Sequence, residues 1–217
     1  MILRIDDYPT GVRPIPPNHI LEFGPILRSF EDAELSYFLG IVPGLCTDVD
    51  WVFLNSLRYM IPACHGYNHC YPIYFPILIL NNDPYNQAGL AGDENEFKNM
   101  DKETTFRTIK KAVDILRSNL SKKVEVFIPP FNRINDYVEE ALIANGINFI
   151  LSEGIKPKTL PCVSSGSYYI RSDMCSYMNL SAAPCVTLHL TWEWDLVRRG
   201  QSKLKEFIAQ LKSSSQK

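Results

Sequence analysis

Apolar residues along this chain fall into short blocks with two different spacings. Ile2-Leu3-Arg4-Ile5 is a brief apolar, β-branched run that ends in Asp6-Asp7. It predicts a buried strand delivering two carboxylates at its C-terminal end. Leu35 to Val42, Val124 to Ile128, Asn148 to Leu151, Tyr168 to Arg171 and Val186 to Leu190 read as further strands, several of them closed by Pro or Gly. Between them the spacing changes to three and four. Phe106, Ile109, Val113 and Leu116 share one face of a helix predicted over 102–119. Shorter helices are expected over 48–59, behind a Thr47 cap, and over 136–144, stopped by Gly146. A last helix is expected from Trp194 or Asp195 to about Leu211. Residues 71–98 carry little periodicity and read as a long surface excursion.

Strand and helix thus alternate through most of the chain, which implies parallel strands joined by crossover helices. Either an incomplete, distorted β/α barrel or an open doubly wound sheet satisfies this rhythm. Both place ligands at the C-terminal ends of the strands.

Composition narrows the picture modestly. The 217 residues, 46% hydrophobic and 21% charged, suit one α/β domain. It is expected over 1–212, with residues 213–217 as a disordered polar tail. A net charge of −2 offers no electrostatic footprint for nucleic acid or for an anionic membrane surface. The opening MILRIDDYPTG has no apolar signal region and no apolar run reaches the ~18 residues of a membrane span. The expectation is therefore a cytoplasmic protein whose six cysteines are free thiols.

The chemistry gathers at strand ends. Three of the four histidines lie there: His65 and His69 in His65-Gly66-Tyr67-Asn68-His69, and His189 in Leu188-His189-Leu190. Adjacent buried carboxylates at Asp6-Asp7 repel each other unless a cation intervenes. Without one, either Asp is a good starter for the turn Tyr8-Pro9-Thr10-Gly11. His-x-x-x-His is a common zinc-ligand spacing. Two imidazoles and one carboxylate make a three-ligand site with open positions, as in catalytic zinc centres. Cys64-His65 with His69-Cys70 is the rival four-ligand reading, disfavoured because adjacent residues seldom ligate one ion with tetrahedral geometry. Trp192 and Trp194 suit either a sugar-stacking platform or packing against the last helix. Tyr67, Tyr71, Tyr74 and Phe75 suit a covering loop or local packing.

Arg4-Ile5-Asp6-Asp7, His65-Gly66-Tyr67-Asn68-His69, Pro129-Pro130-Phe131-Asn132 and Leu188-His189-Leu190 stand in the order of the motifs of the polysaccharide deacetylases. The chain resembles this family, carbohydrate esterase family four with the NodB-homology fold. The resemblance implies a distorted, incomplete β/α barrel of parallel strands. It implies Asp6 as catalytic base, Asp7, His65 and His69 as metal ligands, and His189 as general acid. Pro130, Phe131, Asn132 and Trp192 would meet the substrate, an acetylated carbohydrate. The metal would be Zn2+ or another divalent ion such as Co2+, Ni2+ or Mn2+. The expected activity is metal-dependent removal of an N-acetyl group from a sugar. The alternatives are an esterase or non-sugar amidase on the same scaffold, or a non-catalytic metal- or carbohydrate-binding domain. Two departures keep those alternatives open. The family pairs its base with an arginine in the third motif, where this chain has Ile128; Arg4 and Arg133 are the nearby cations. The fourth family motif is not recognisable, and Glu153 is its only positional candidate.

Overall fold

A computed structural model describes residues 2–9, 19–69, 96–152, 155–164, 168–169, 185–189 and 201–215. Its strands are β1 (Ile2–Tyr8), β2 (Tyr37–Ile41), β3 (Met60–Cys64), β4 (Val126–Phe127), β5 (Phe149–Ser152), β6 (Cys162–Ser164), β7 (Tyr168–Tyr169) and β8 (Cys185–His189). They form one sheet in the order β6-β5-β4-β3-β2-β1-β8-β7, and every pairing is parallel. The two strands at the ends of this order, β6 and β7, follow one another in sequence. Ser164 and Tyr168 are four residues apart, at most about 14 Å of extended chain. The sheet must therefore curl until its edges approach, and it forms a strongly curled, incomplete β/α barrel. This decides against the open doubly wound alternative.

The helices are α1 (His19–Asp32), α2 (Asp48–Asn55), α3 (Lys102–Asn119), α4 (Val138–Ala144) and α5 (Gln201–Ser215). The strongly periodic α3 has the expected bounds, with the Asp101 side chain accepting from the Thr104 N–H at its start. By contrast, α1 falls in a stretch where the pattern predicts no element. Gly24 and Pro25 argue against a helix there, yet Phe23, Ile26, Leu27 and Phe30 form a buried face that outweighs both. Expected over 48–59, α2 stops at Asn55, because Glu31 takes the N–H groups of Arg58 and Tyr59. β6 was likewise not expected. Residues 213–215, expected to belong to a polar tail, are helical: α5 continues through Ser215, with the Ser213 hydroxyl donating to the Gln210 carbonyl. Among the described residues no helix is long and apolar enough to cross a membrane, and Cys46, Cys64, Cys162 and Cys185 are free thiols.

Strand pleating sorts side chains into two layers. Leu3, Ile5, Leu39, Ile41, Cys64, Phe127, Ile150, Val186 and Leu188 join the helices in the main core. A smaller cluster of Ala63, Val126, Ile128, Leu151 and Cys185, with Ile2, Phe38 and Phe149 against it, lines the concave face. Ile2, Arg4 and Asp6 alternate along β1 on that same face. The concave face thus has an apolar floor and turns polar toward the C-terminal strand ends.

Candidate metal and catalytic site

The strand ends explain how two adjacent carboxylates come to serve one cavity. In a regular strand Asp6 and Asp7 would point to opposite faces. Here the β1–β2 register shifts between Ile5 and Tyr8, and Asp7 has a left-handed φ of 68°. The irregularity turns Asp7 out of the alternation. Tyr8 anchors the chain immediately beyond: it is fully buried, stacks on Phe53 and donates its hydroxyl to Asp50 at 2.8 Å. Burial and the Asp50 charge push the Tyr8 phenol well above its ordinary value.

Asp7 faces both histidines. Its Oδ1 lies 3.2 Å from His65 Nε2 and 3.0 Å from His69 Nε2, and all three residues are buried. The opposite nitrogen of His65, Nδ1, is 2.7 Å from the Ile128 carbonyl. A carbonyl only accepts, so Nδ1 carries a proton; in the neutral imidazole Nε2 then presents its lone pair toward Asp7, as a metal ligand requires. In that form a cation between the imidazole and the carboxylate satisfies both acceptors. The three donor atoms lie within 4.8 Å of one another. At bond lengths of about 2.1 Å, tetrahedral ligands stand about 3.4 Å apart, close to the two separations observed. The donor set therefore fits a divalent metal. Cys64 does not belong to it. Its thiol sits in the main core, directed at the Gly66 carbonyl, and burial pushes it well above the usual range. The four-ligand reading fails on this geometry.

Asp6 faces a different partner. Arg4, two residues earlier on the same strand face, donates from Nε to Asp6 Oδ1 (2.8 Å) and from Nη2 to Asp6 Oδ2 (2.5 Å). Its remaining Nη1 donates to Asn132 Oδ1 at 3.0 Å, which also accepts from the buried Ser152 hydroxyl at 3.2 Å. The guanidinium beside Asp6 is therefore that of Arg4. Ile128 lies in the apolar floor and Arg133 is exposed.

The third motif supplies a wall. Phe131 and Asn132 both have left-handed φ, 56° and 52°. The Phe131 ring lies 4.7 Å from the His69 ring, Asn132 turns toward Arg4, and Pro130 is buried beside Gly66. Four of the five described non-glycine residues with positive φ (Asp7, His69, Phe131 and Asn132) thus belong to this site. Backbone strain concentrates where side chains must be aimed. In the β1–β8 register His189 stands opposite Asp6. The His189 side chain, Trp192, Trp194, Glu153, Cys70, Tyr71, Tyr74 and Phe75 lie outside the described residues.

Two contributors carry no local sequence signal. Glu96, at the end of the stretch expected to be surface excursion, is buried. It accepts from the backbone N–H groups of Tyr67, Asn68 and His69 at 2.8, 2.9 and 3.2 Å. Burial raises its carboxyl above the ordinary value, while the three donors pull the other way. Phe97 beside it is fully buried, so this part of the stretch is core. Gly40 lies directly beneath: a Cβ there would stand 3.2 Å from His65 Cγ and 3.4 Å from Asp6 Cα.

No protein-family model and no curated protein matches the sequence. Solved structures do match. A family 4 carbohydrate esterase from Streptomyces lividans, in complex with acetate, is 12% identical with a TM-score of 0.60. The match covers 98% of this chain and 88% of that one. A family 4 acetyl xylan esterase from Clostridium thermocellum, in complex with a cobalt ion, is 11% identical with a TM-score of 0.57, over 98% and 83% of the two chains. A pseudoenzyme of the same family from Bacillus anthracis is 13% identical with a TM-score of 0.54; the match covers 94% of this chain and 60% of that longer one. The chain has the fold of the family 4 carbohydrate esterases.

Proposed function

We propose that the protein is a metal-dependent hydrolase that removes an acetyl group from a carbohydrate, as a divergent polysaccharide deacetylase. One observation carries the reading: two adjacent carboxylates have different partners. Asp7 meets two imidazoles and Asp6 meets a guanidinium. A purely structural acid pair has no need of that division.

Asp7, His65 and His69 would hold the ion, with zinc the first choice for an N,N,O donor set. A divalent ion bound there supplies Lewis acidity toward a carbonyl oxygen and makes water a nucleophile near neutral pH. Asp6 then takes the proton of the attacking water as general base. Arg4 holds that carboxylate by both oxygens, which leaves its plane fixed for proton transfer. His189 gives a proton to the leaving amine or alcohol. Pro130, Phe131, Asn132 and Trp192 would contact the substrate, and Glu153 would support the acid histidine.

Fold alone does not entail turnover: the neighbours include a pseudoenzyme and a mutant of it with restored enzymatic activity. The decisive experiment supplies zinc or cobalt to the protein and follows acetate release from N-acetylated and O-acetylated sugars. Release that is abolished by Asp6→Asn while metal is retained supports the reading. Metal bound without release from any member of the panel makes the protein a binding domain. A folded chain that takes up no metal removes the reading altogether.

A further inference from the structure

The metal loop is shaped by a residue that the proposed reaction does not use. Three consecutive N–H groups, of Tyr67, Asn68 and His69, converge on the carboxylate of Glu96, Tyr67 and His69 on Oε2 and Asn68 on Oε1. Successive N–H groups in a turn with left-handed residues form an anion-binding concavity. Here Gly66 and His69, with φ of 72° and 70°, make that turn. Space is reserved for the carboxylate. A Cβ on Gly66 would overlap Glu96 Oε2 and come within 2.9 Å of Pro130 Cγ. The opposite edge of the loop is tied down as well: the Tyr67 carbonyl accepts from Gly44 N–H at 2.9 Å, and a Cβ on Gly44 would overlap that same carbonyl.

We infer that Glu96 is the positioning residue of the metal loop, setting the backbone between His65 and His69 and thereby the affinity of the site for a divalent cation. The inference rests on the metal reading above. Glu96 touches neither imidazole in the contacts described; it acts through the backbone that carries them. Both its oxygens accept, so a neutral amide in its place presents an NH2 to at least one of the three N–H donors. That donor is then left unsatisfied, and the loop relaxes away from the left-handed conformation that brings the His69 ring to Asp7. Outer partners that orient metal ligands typically change affinity by about 10–100-fold when removed.

The test is zinc affinity, measured by competition with a chromophoric chelator, for wild type, Glu96→Gln, Glu96→Asp and Glu139→Gln. Unfolding of the zinc-free proteins is followed alongside. Glu139 is the control, because its carboxylate makes the same triple contact to a different loop, at Lys158, Thr159 and Leu160. Glu96→Gln is expected to bind zinc at least about 10-fold more weakly. Glu139→Gln is expected to lose stability and keep wild-type affinity. Where Glu96→Gln does not fold, Glu96→Asp decides, since it keeps the charge but is one methylene too short to reach all three donors. Wild-type affinity in the folded Glu96 variant overturns the inference and leaves the metal reading standing. So does an equal loss of affinity in Glu139→Gln, which would make the effect one of general stability. Wild type that binds no zinc overturns the metal reading, and the inference with it.

Discussion

The Arg4 guanidinium spans both oxygens of Asp6 from two residues away on the same strand, at 2.8 and 2.5 Å, with both side chains 1% exposed. The pair is a buried ionic unit, so its members are expected to be strongly non-additive. Arg4→Met leaves a buried carboxylate without its cation and should cost roughly 3–5 kcal/mol. Adding Asp6→Asn to that variant should restore a large part of the loss. Urea unfolding of the two singles and the double closes the cycle. Simple additivity would mean that the two residues do not act as a unit.

Asp6 and Asp7 are neighbours with opposite expected phenotypes. Asp7→Ala removes the oxygen that both imidazoles face, and zinc should no longer bind. Asp6→Asn leaves that triad intact. It should keep zinc and lower kcat by about 10²–10⁴. Thermal shift separates the two without a substrate. Zinc at 100 times its Kd stabilises a folded binder by about 2.7 kcal/mol. Wild type and Asp6→Asn should therefore melt higher with zinc and revert on chelation, whereas Asp7→Ala should not respond.

What was legible in the sequence was what is local. Asp6-Asp7 at a strand end and His65-x-x-x-His69 are short motifs whose chemistry is written in adjacent residues, and α3 carries its periodicity within its own length. What could not be read depends on partners distant in sequence. Glu96 lies 27 positions beyond His69 in a stretch without periodicity, and only the folded loop shows that its carboxylate has three donors. The choice between Arg4 and Arg133 turned on which residue points into the concave face. The same holds for α1, where Gly24 and Pro25 contradict a helix that tertiary burial of Phe23, Ile26, Leu27 and Phe30 enforces. The family resemblance implies unequal jobs for Asp6 and Asp7; their different partners, and the left-handed residue and register shift that separate them, belong to the structure.

Gly40 gives a steric test of the packing under the site. An added Cβ would meet His65 Cγ at 3.2 Å and Asp6 Cα at 3.4 Å. The Asp6 contact is an ordinary van der Waals distance, whereas the His65 contact is tight, so the His65 ring must give by a few tenths of an ångström, against its bond to the Ile128 carbonyl. Gly40→Ala is expected to cost about 1–3 kcal/mol as overpacking. It should also weaken zinc binding several-fold. Isothermal titration with zinc is the check. A variant with lowered stability and unchanged affinity would show that the ring has room to move.

Glu139 supplies a pH dependence whose sign can be worked out. Burial pushes its carboxyl up, but the N–H groups of Leu160, Lys158 and Thr159, helped by the Lys158 charge, pull it down further, and the net displacement is below the ordinary 4.5. A carboxyl held lower in the folded than in the unfolded chain binds fewer protons when folded. Its stabilisation is complete above the unfolded value and is lost as pH falls through the folded one. Glu139→Gln removes the titrating group. Wild type should exceed the variant in stability at pH 6, and the gap should narrow steadily below about pH 4.5. Urea midpoints for both proteins from pH 6 to pH 3 measure it directly. A gap that stays constant across that range would mean that the protonated Glu139 carboxyl holds the 158–160 loop as well as the carboxylate does, and that its charge contributes nothing.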